Sequence, residues 1–364
     1  MSKRIIIAGG GTGGHIFPAI AIANALKKID GSVEILFIGA KGKMEMEKVP
    51  QAGYSIEGID IAGFDRKSII RNAGLLYKLI RSFFQVRTIF KKFRPDVAIG
   101  VGGYSSFPVL RYAQTKGIPT FIHESNFFDG KSNILLGKKA TKVFVAAEGM
   151  EKFFPARKIM VTGNPVRTVI AQSVIDKKAG VNFFSLDENK KTVFVVGGSL
   201  GAKTINEAID AKLDELLEAG LQLIWQTGKP YVATAKHKAE GKPGVWVNEF
   251  ITQMEYAYAA ADIVVARAGA MTVAELCLVQ KPVLFVPYPF ATEDHQTANA
   301  RRLVDQHAAL MIRDSEAAAK LVPMLIGLAH DNAKQDELRA NIAKLGVTDA
   351  DNKIAGEIMK LIRA

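Results

Sequence analysis

The sequence predicts an α/β protein made of two doubly wound parallel-sheet domains. Short runs of β-branched and other apolar residues alternate with longer amphipathic patterns along most of the 364 residues. Because these runs are apolar on both faces, each strand is expected to be covered on both sides, as in parallel sheets. The same unit of strand, glycine-rich turn and helix opens each half of the chain, at residues 4–8 and again at 192–196.

The first half begins with the strand at 4–8, a glycine turn at 9–14 and a helix at 16–29. Helical patterns lie between most of the strands that follow. The further strands are predicted at 33–38, 55–59, 97–100, 120–122, 142–146 and 159–162.

The second half restarts the pattern after a polar stretch at 173–190. Its elements are a strand at 192–196, a turn at 197–201, a helix at about 204–219 and strands at 222–225, 245–248, 263–266 and 283–286. We therefore predict two Rossmann-like domains, 1–164 and 165–350, with a hinge near 164–190 and a cleft between them. A last helix, 351–364, can return to pack on the first domain.

The composition is that of a globular protein with an anionic partner. Hydrophobic residues make up 48% of the chain, and the net charge of +12 favours nucleic acid, anionic lipid or a phosphorylated substrate. The single cysteine, Cys277, excludes an internal disulfide and fits a reducing compartment, and its apolar helical context predicts that it is buried. Apolar runs fall short of the roughly 18 residues of a spanning helix, and the first breaks at Gly9, too early for a signal peptide.

Glycine-rich turns follow three predicted strands, at 9–14, 102–106 and 197–201. The first matches the G-x-G-x-x-G fingerprint of dinucleotide-binding domains, but the next strand ends at Lys41 without the carboxylate that would bind a ribose. A nicotinamide or flavin enzyme is therefore disfavoured. Glycines let backbone amides and helix N-termini approach phosphates closely, so we expect anion sites at these strand ends, with Ser199 as a further donor.

One histidine and one polar cluster, each at a strand end, are candidates for catalysis or substrate binding. His15 begins the first helix, where the helix dipole disfavours the imidazolium, so it suits a general base or a donor to a phosphate or sugar. The polar cluster, His123-Glu124-Ser125-Asn126, follows another strand, although Asn126 could also cap the next helix.

A loop at 267–275 joins a strand to a helix in the second half. Thr272 and Glu275 have the spacing of a capping box, which is the structural alternative. In the functional interpretation, the loop amides hold a diphosphate and Glu275 accepts ribose hydroxyls. A proline-rich loop then leads to 293–296, whose side chains suit sugar hydroxyls.

Together these segments resemble the MurG family, which transfers N-acetylglucosamine from UDP-GlcNAc to undecaprenyl-pyrophosphoryl-MurNAc-pentapeptide (lipid I). The matching segments keep the family's order across nearly the whole chain: 9–15, 102–104, 123–126, 163–167, 197–202, 249–251, 268–275 and 294–296. The resemblance implies a GT-B fold and an inverting hexosyl transfer to the 4-hydroxyl of MurNAc. The product is lipid II, and the reaction uses no metal, cofactor or covalent intermediate.

The family's pattern also implies roles for individual residues. Contacts with UDP-GlcNAc fall on Thr12, Gly13, Gly14, Asn126, Arg167, Ser199, Ile251, Ala270, Met271, Thr272, Val273, Ala274, Glu275 and Gln296. Ile251 meets the uracil through its backbone, and Glu275 meets the ribose. The acceptor diphosphate falls to Gly102, Gly103 and Tyr104, and His15 is the first candidate base with Glu124 in reserve. Leu200 and Ser125 depart from the family, which often has Gln at these positions.

A basic segment at 66–94 contains nine Lys or Arg and no Asp or Glu, interleaved with large apolar residues. An ordinary surface helix accounts for part of this pattern, but the apolar arc is wider than one core-facing stripe needs. The surplus indicates a surface that rests on anionic lipid. Nucleic acid would use similar charge, but we find no nucleic-acid motif and exclude it as a partner.

The resemblance further implies a peripheral protein on the cytoplasmic face of the cell inner membrane, acting in cell-wall biogenesis, cell shape, cell division and the cell cycle. Rival interpretations are a GT-B glycolipid transferase, a UDP-GlcNAc 2-epimerase, and a nucleotide-sugar-binding protein without turnover. An epimerase needs no basic membrane-facing helix, and a binding protein would be indifferent to loss of His15.

Overall fold

The computed structural model describes residues 3–63, 74–127, 131–198, 200–291 and 294–363. Ser199 and residues 66–73 of the basic segment therefore lie outside the described residues. The chain divides into two compact units: unit 1 comprises Met1–Arg167 with Asp349–Ala364, and unit 2 comprises Thr168–Thr348. Each unit is built on its own parallel sheet, as the sequence predicts.

Unit 1 contains a seven-stranded parallel sheet. Its strands are β1 (Arg4–Ala8), β2 (Glu34–Ala40), β3 (Ser55–Ile59), β4 (Val97–Gly100), β5 (Thr120–Glu124), β6 (Lys142–Val145) and β7 (Ile159–Val161). They lie in the order β3-β2-β1-β4-β5-β6-β7. All neighbouring strands are parallel, and the order in which strands are added changes direction between β1 and β4, which is where doubly wound sheets bind ligands.

The helices of the first part of the chain connect these strands. They are α1 (Gly13–Ile29), α2 (Glu45–Gln51), α3 (Leu75–Phe93), α4 (Ser106–Thr115) and α5 (Lys131–Gly137), with a 3₁₀ turn at Ala156–Lys158. Helix α1 starts earlier than its apolar pattern suggests, because two glycines of the turn already have helical geometry.

Unit 2 contains a six-stranded parallel sheet in the order β10-β9-β8-β11-β12-β13. The strands are β8 (Lys191–Val196), β9 (Leu221–Gln226), β10 (Val245–Asn248), β11 (Ile263–Ala266), β12 (Val283–Phe285) and β13 (Leu310–Met311). The sequence did not predict β13, since two residues are too short to show an apolar run.

The helices of unit 2 include two departures from the sequence prediction. They are α6 (Thr168–Ala171), α7 (Lys177–Phe183), α8 (Lys203–Ala211), α9 (Leu213–Glu218), α10 (Val232–Ala239), α11 (Met254–Ala260), α12 (Ala270–Val279), α13 (His295–Val304), α14 (Ala317–His330) and α15 (Asn332–Ala343), with a 3₁₀ turn at Asp314–Glu316. The helix predicted at 204–219 is two helices, because Lys212 leaves helical geometry with φ −128°. The polar stretch at 173–190 contains α7, which packs closely on α11 at Gly180.

The last helix, α16 (Ala350–Arg363), belongs to unit 1 and completes one side of its core. Alternate residues of β1 face opposite layers: Ile5 and Ile7 pack with α1 and α16, whereas Ile6 and Ala8 pack with α3 and α4. This two-sided burial explains why the strand is apolar throughout. Across the described residues, no helix combines the length and apolarity that crossing a bilayer requires.

Candidate active site

Two glycine turns of unit 1 contact each other through their backbones at the carboxyl ends of β1 and β4. The Gly10 amide donates to the Gly102 carbonyl at 3.3 Å. A Cβ on Gly103 would lie 2.3 Å from the Gly10 oxygen, and Gly103 has φ +84°. Only glycine permits this approach, so the two turns form one continuous backbone surface.

His15 lies on this surface, in the first turn of α1. Its Nδ1 is 3.1 Å from the Gly10 carbonyl oxygen. Since a carbonyl only accepts, Nδ1 carries the proton and Nε2 is the basic nitrogen. The ring packs on Gly102, where a Cβ would lie 2.6 Å from Cδ2. His15 is thus held in the tautomer that a general base at Nε2 requires.

His123, at the end of β5, is in a different state. It is fully buried, and burial lowers its pKa to about 4, against a smaller raising effect of Glu124. Electrostatic repulsion from His15 also lowers the pKa of His123, which indicates that the two rings belong to one corner of unit 1. His123 is therefore neutral near pH 7.

Glu124, the reserve base, accepts three hydrogen bonds from amide groups. Oε1 accepts from the backbone N and side-chain Nδ2 of Asn126 at 2.9 and 3.2 Å, and Oε2 accepts from Asn133 Nδ2 at 2.7 Å. Glu124 is buried. This geometry favours a role in fixing Asn126, a predicted contact of UDP-GlcNAc, over a role as the general base.

The other predicted residues of unit 1 border the same strand ends. Thr12 precedes α1 in extended geometry, and Gly13 and Gly14 form the start of the helix. The Arg167 guanidinium lies 5.3 Å from the centre of the Phe17 ring on α1. Tyr104 is 52% exposed, and the hydroxyl end of its ring packs against Gly63, where a Cβ would lie 2.3 Å from the hydroxyl oxygen.

In unit 2 the third glycine turn follows β8 and packs against the turn after β9. A Cβ on Gly201 would lie 2.0 Å from the Thr227 oxygen, and one on Gly228 would lie 2.4 Å from the Gly201 nitrogen. Leu200 is 80% exposed, so no packing role explains it.

The loop before α12 supplies a helix N-terminus. The helix begins at Ala270 after Gly269, so Thr272 lies inside the first turn and the capping-box alternative is wrong. The first helical amides, from Ala270 to Thr272, lack partners within the helix and can hold an anion. Asn299 fixes the loop by donating to the Ala268 carbonyl at 3.0 Å.

Glu275 and Ile251 are each held by a polar side chain. The Tyr258 hydroxyl donates to Glu275 Oε2 at 3.0 Å in a buried setting. The Ile251 amide donates to Gln226 Oε1 at 3.1 Å. The Ile251 carbonyl is therefore the backbone group that would contact a nucleobase such as uracil.

The remaining predicted donor contacts of unit 2 are Val273, Ala274 and Gln296. Val273 and Ala274 continue α12, and the Val273 amide is already bonded to the Gly269 carbonyl at 2.9 Å. Gln296 Oε1 accepts from the Tyr288 amide at 2.9 Å, which turns its NH₂ group to the other side as a donor.

Several residues that organise these groups are not apparent from the sequence. Arg267 is paired with Asp314 and donates to the carbonyls of Val286 and Pro287, which fixes the proline-rich loop. Others are Glu45, Asn133, Gln226 and Tyr258, which contact the site from distant chain positions. No local motif marks them, because their partners are brought close only by the fold.

Comparison with known proteins identifies the family. The glycosyltransferase family 28 N-terminal domain matches residues 5–145 and the C-terminal domain matches 192–354. A Bacteroides thetaiotaomicron protein is 51% identical, with 99% of this chain and 98% of the relative covered. It is named UDP-N-acetylglucosamine–N-acetylmuramyl-(pentapeptide) pyrophosphoryl-undecaprenol N-acetylglucosamine transferase. The chain belongs to the MurG family. It is a glycosyltransferase, as its sequence predicts.

Solved structures agree with the family and with the predicted GT-B fold. The Acinetobacter baumannii MurG structure is similar with a TM-score of 0.79 and 29% identity, covering 98% of this chain and 99% of that one. A UDP-N-acetylglucosamine 2-epimerase has a TM-score of 0.67 at 15% identity, covering 99% and 97%. That likeness concerns the fold alone, so the epimerase interpretation gains no support beyond architecture.

Proposed function

We propose that this MurG-family enzyme transfers GlcNAc from UDP-GlcNAc to the 4-hydroxyl of MurNAc in lipid I, forming lipid II with inversion at C1. Relatives named for this transfer are 46–51% identical over nearly the whole chain. The observation that carries the proposal is His15, whose Nδ1 donates to the Gly10 carbonyl at 3.1 Å and leaves Nε2 as the base. By this reaction the enzyme serves cell-wall biogenesis, and through it cell shape, division and the cell cycle.

The mechanism proposed for the transfer is a single displacement. Nε2 of His15 takes the proton as the acceptor oxygen attacks C1 from the face opposite UDP. The C1–O bond breaks with its electron pair leaving on UDP, and a β-linkage forms. Charge that develops on the diphosphate is stabilised by prearranged amides, for which the start of α12 is suited.

The family's pattern supplies the proposed contact residues of each unit. In unit 1 they are Thr12, Gly13, Gly14, Asn126 and Arg167, while Gly102, Gly103 and Tyr104 take the acceptor diphosphate. In unit 2, Glu275 accepts hydrogen bonds from the ribose hydroxyls and the backbone of Ile251 contacts the uracil. Gln296 and the α12 start, with Ser199 of the third turn, contact the sugar and phosphates.

We also propose that α3 rests on the anionic cytoplasmic face of the membrane. Four apolar side chains of its first half are half-exposed or more: Leu76, Tyr77, Ile80 and Phe84. The helix also carries Lys78, Arg87, Lys91 and Lys92, whereas Arg81 pairs with Asp60 at 3.2 Å. Apolar residues beside cations are the pattern of an interfacial helix, so a peripheral attachment is favoured over nucleic-acid binding.

The test is transfer from radiolabelled UDP-GlcNAc to a short-chain lipid I analogue, with and without EDTA. We expect labelled disaccharide lipid in both conditions and a loss of about 100-fold or more in kcat for His15→Ala. The control is His237→Ala, an exposed histidine on α10, which should be unchanged. UDP-GlcNAc binding by calorimetry without any transfer would refute the acceptor assignment, and glycolipid acceptors or epimerisation would then account for the donor site.

A further inference from the structure

Glu45 is a buried carboxylate beside the first glycine turn, and the mechanism proposed above gives it no part in the reaction. It is the first residue of α2, and the residue is 1% exposed. Amides from the first glycine turn and from the end of β2 donate to it: Gly11 N to Oε2 at 2.8 Å and Ala40 N to Oε1 at 2.9 Å. One carboxylate therefore ties the turn after β1 to the end of β2.

Two glycines make room for this side chain. A Cβ on Gly10 would lie 2.2 Å from Glu45 Cδ, and one on Gly39 would lie 2.5 Å from Cγ. Both distances are far shorter than a non-bonded contact between two carbon atoms can be, so a residue with a Cβ does not fit at either position. The absence of a Cβ at Gly10 thus serves an internal carboxylate, and the Gly11 amide is committed to that carboxylate and not to a substrate phosphate.

The Gly10–Gly11 peptide group is hydrogen-bonded at both ends. Its N–H donates to Glu45, and its carbonyl accepts from Nδ1 of His15 at 3.1 Å. A charge-assisted bond to the N–H polarises a peptide and strengthens its carbonyl as an acceptor. The chain of groups is carboxylate, peptide and imidazole, in that order.

We propose that Glu45 is a positioning residue that orients and polarises His15 through the Gly10–Gly11 peptide. The proposal rests on the proposed function, in which His15 is the base. Glu45 holds the Nδ1–H tautomer and stabilises the imidazolium that forms when Nε2 takes the acceptor's proton. No proton passes to Glu45. Its action resembles that of the buried carboxylate behind a catalytic histidine in a hydrolase triad, with one peptide group interposed.

Other charged or titratable groups of this corner include His123, which interacts electrostatically with His15, its neighbour Glu124, and Arg167, which packs on Phe17 of α1. A substitution at Glu45 leaves all three in place. A change in the titration of His15 can therefore be assigned to the loss of the Glu45 charge.

The experiment compares Glu45→Gln with Glu47→Gln, its matched control. Glu47 lies in the same helical turn, but its side chain is 68% exposed and pairs with Lys48. For Glu45→Gln we expect kcat to fall about 10- to 100-fold, the loss seen when a residue that orients a metal-binding side chain is replaced. The KM for UDP-GlcNAc should change less than about twofold. The imidazole ¹⁵N shifts of His15 should titrate at lower pH, since the imidazolium has lost a stabilising charge.

A purely structural role predicts a different result. If Glu45→Gln alters only KM or the melting temperature while His15 titrates as in the wild type, the proposal is wrong. The NMR titration needs no turnover. If the wild-type protein showed no transferase activity, the proposed function would be refuted, but the titration would still show whether Glu45 acts on His15.

A measurement on the wild type covers the case in which Glu45→Gln does not fold. The Gly11 amide proton should be shifted downfield and protected from exchange, and His15 should show the Nδ1–H tautomer near neutral pH. A Gly11 amide that exchanges at the rate of an open loop would overturn the proposal.

Discussion

Tyr258 illustrates how a single hydroxyl outside the nucleotide loops can set donor affinity. Its bond to Glu275 fixes a carboxylate that is proposed to receive the ribose hydroxyls. Tyr258→Phe should therefore raise KM for UDP-GlcNAc by about 2- to 10-fold, the worth of one hydrogen bond, with little change in kcat. Steady-state kinetics measure this.

The control for that substitution is Tyr256→Phe on the same helix. The Tyr256 ring stacks on Phe183 with 4.4 Å between centres, so removing its hydroxyl leaves the packing intact. Equal effects of the two substitutions would contradict a specific role for Tyr258. A donor lacking the ribose 2′-hydroxyl should lose part of its sensitivity to Tyr258→Phe.

Cys277 is predicted to be inert in the folded protein. Burial raises the pKa of its thiol to about 12, and only the thiolate reacts with alkylating agents. At pH 8, alkylation by iodoacetamide should be roughly 100-fold or more slower in the native protein than in denaturant. Mass spectrometry of quenched samples gives both rates, and rapid native labelling would show that α12 opens.

At the scale of elements, the sequence predicts what depends on local pattern. The strands ending at Ala8, Gly100 and Ala266 are recognised from their apolar runs, because a strand buried on both faces must be apolar throughout. Helix α12 is recognised, but its start is not: the spacing of Thr272 and Glu275 imitates a cap that Gly269 provides.

The candidate site likewise has features that the local sequence shows and features that depend on distant residues. The strand-end position of His15 follows from its spacing after the first strand, which the sequence shows. The carboxylate behind the Gly10–Gly11 peptide belongs to Glu45, which is 34 residues from Gly11 in the chain. Contacts of that kind carry no periodic signal, so the sequence predicts the location of the chemistry and not the groups that tune it.

Helix α3 is the element whose surface can be tested alone. Replacing Leu76, Ile80 and Phe84 by Ser should weaken binding to anionic vesicles about tenfold or more, since exposed apolar area is lost from the interface. Turnover of a water-soluble short-chain lipid I analogue should not change. Vesicle sedimentation measures the binding, and Leu361→Ser on α16, where Leu361 is 40% exposed, is the matched control. Unchanged vesicle binding would exclude α3 as the membrane surface.

At the scale of the molecule, two units with separate cores need not unfold together. Both tryptophans of the chain, Trp225 and Trp246, lie in unit 2. Trp225 is fully buried and donates to Asn206 at 3.0 Å. Tryptophan emission therefore reports unit 2 alone, whereas circular dichroism at 222 nm reports both units.

This difference makes the acid stability of unit 1 measurable. The pKa of His123 is lowered by burial from 6.5 to about 4. Between these values the unfolded chain binds a proton that the folded protein does not, so stability falls as the pH falls from about 6.5 towards 4. Between pH 7 and pH 5 the loss from this one group is on the order of 2 kcal/mol. From pH 7 to pH 5, the thermal midpoint measured by ellipticity at 222 nm should fall further than the midpoint measured by tryptophan emission, because only the ellipticity includes unit 1.

His123→Gln, which removes the titrating group, should reduce this fall in the ellipticity midpoint, because other acid-sensitive groups act equally in both proteins. An identical pH dependence in the wild type and the variant would mean that His123 is protonated without cost and that its site admits water.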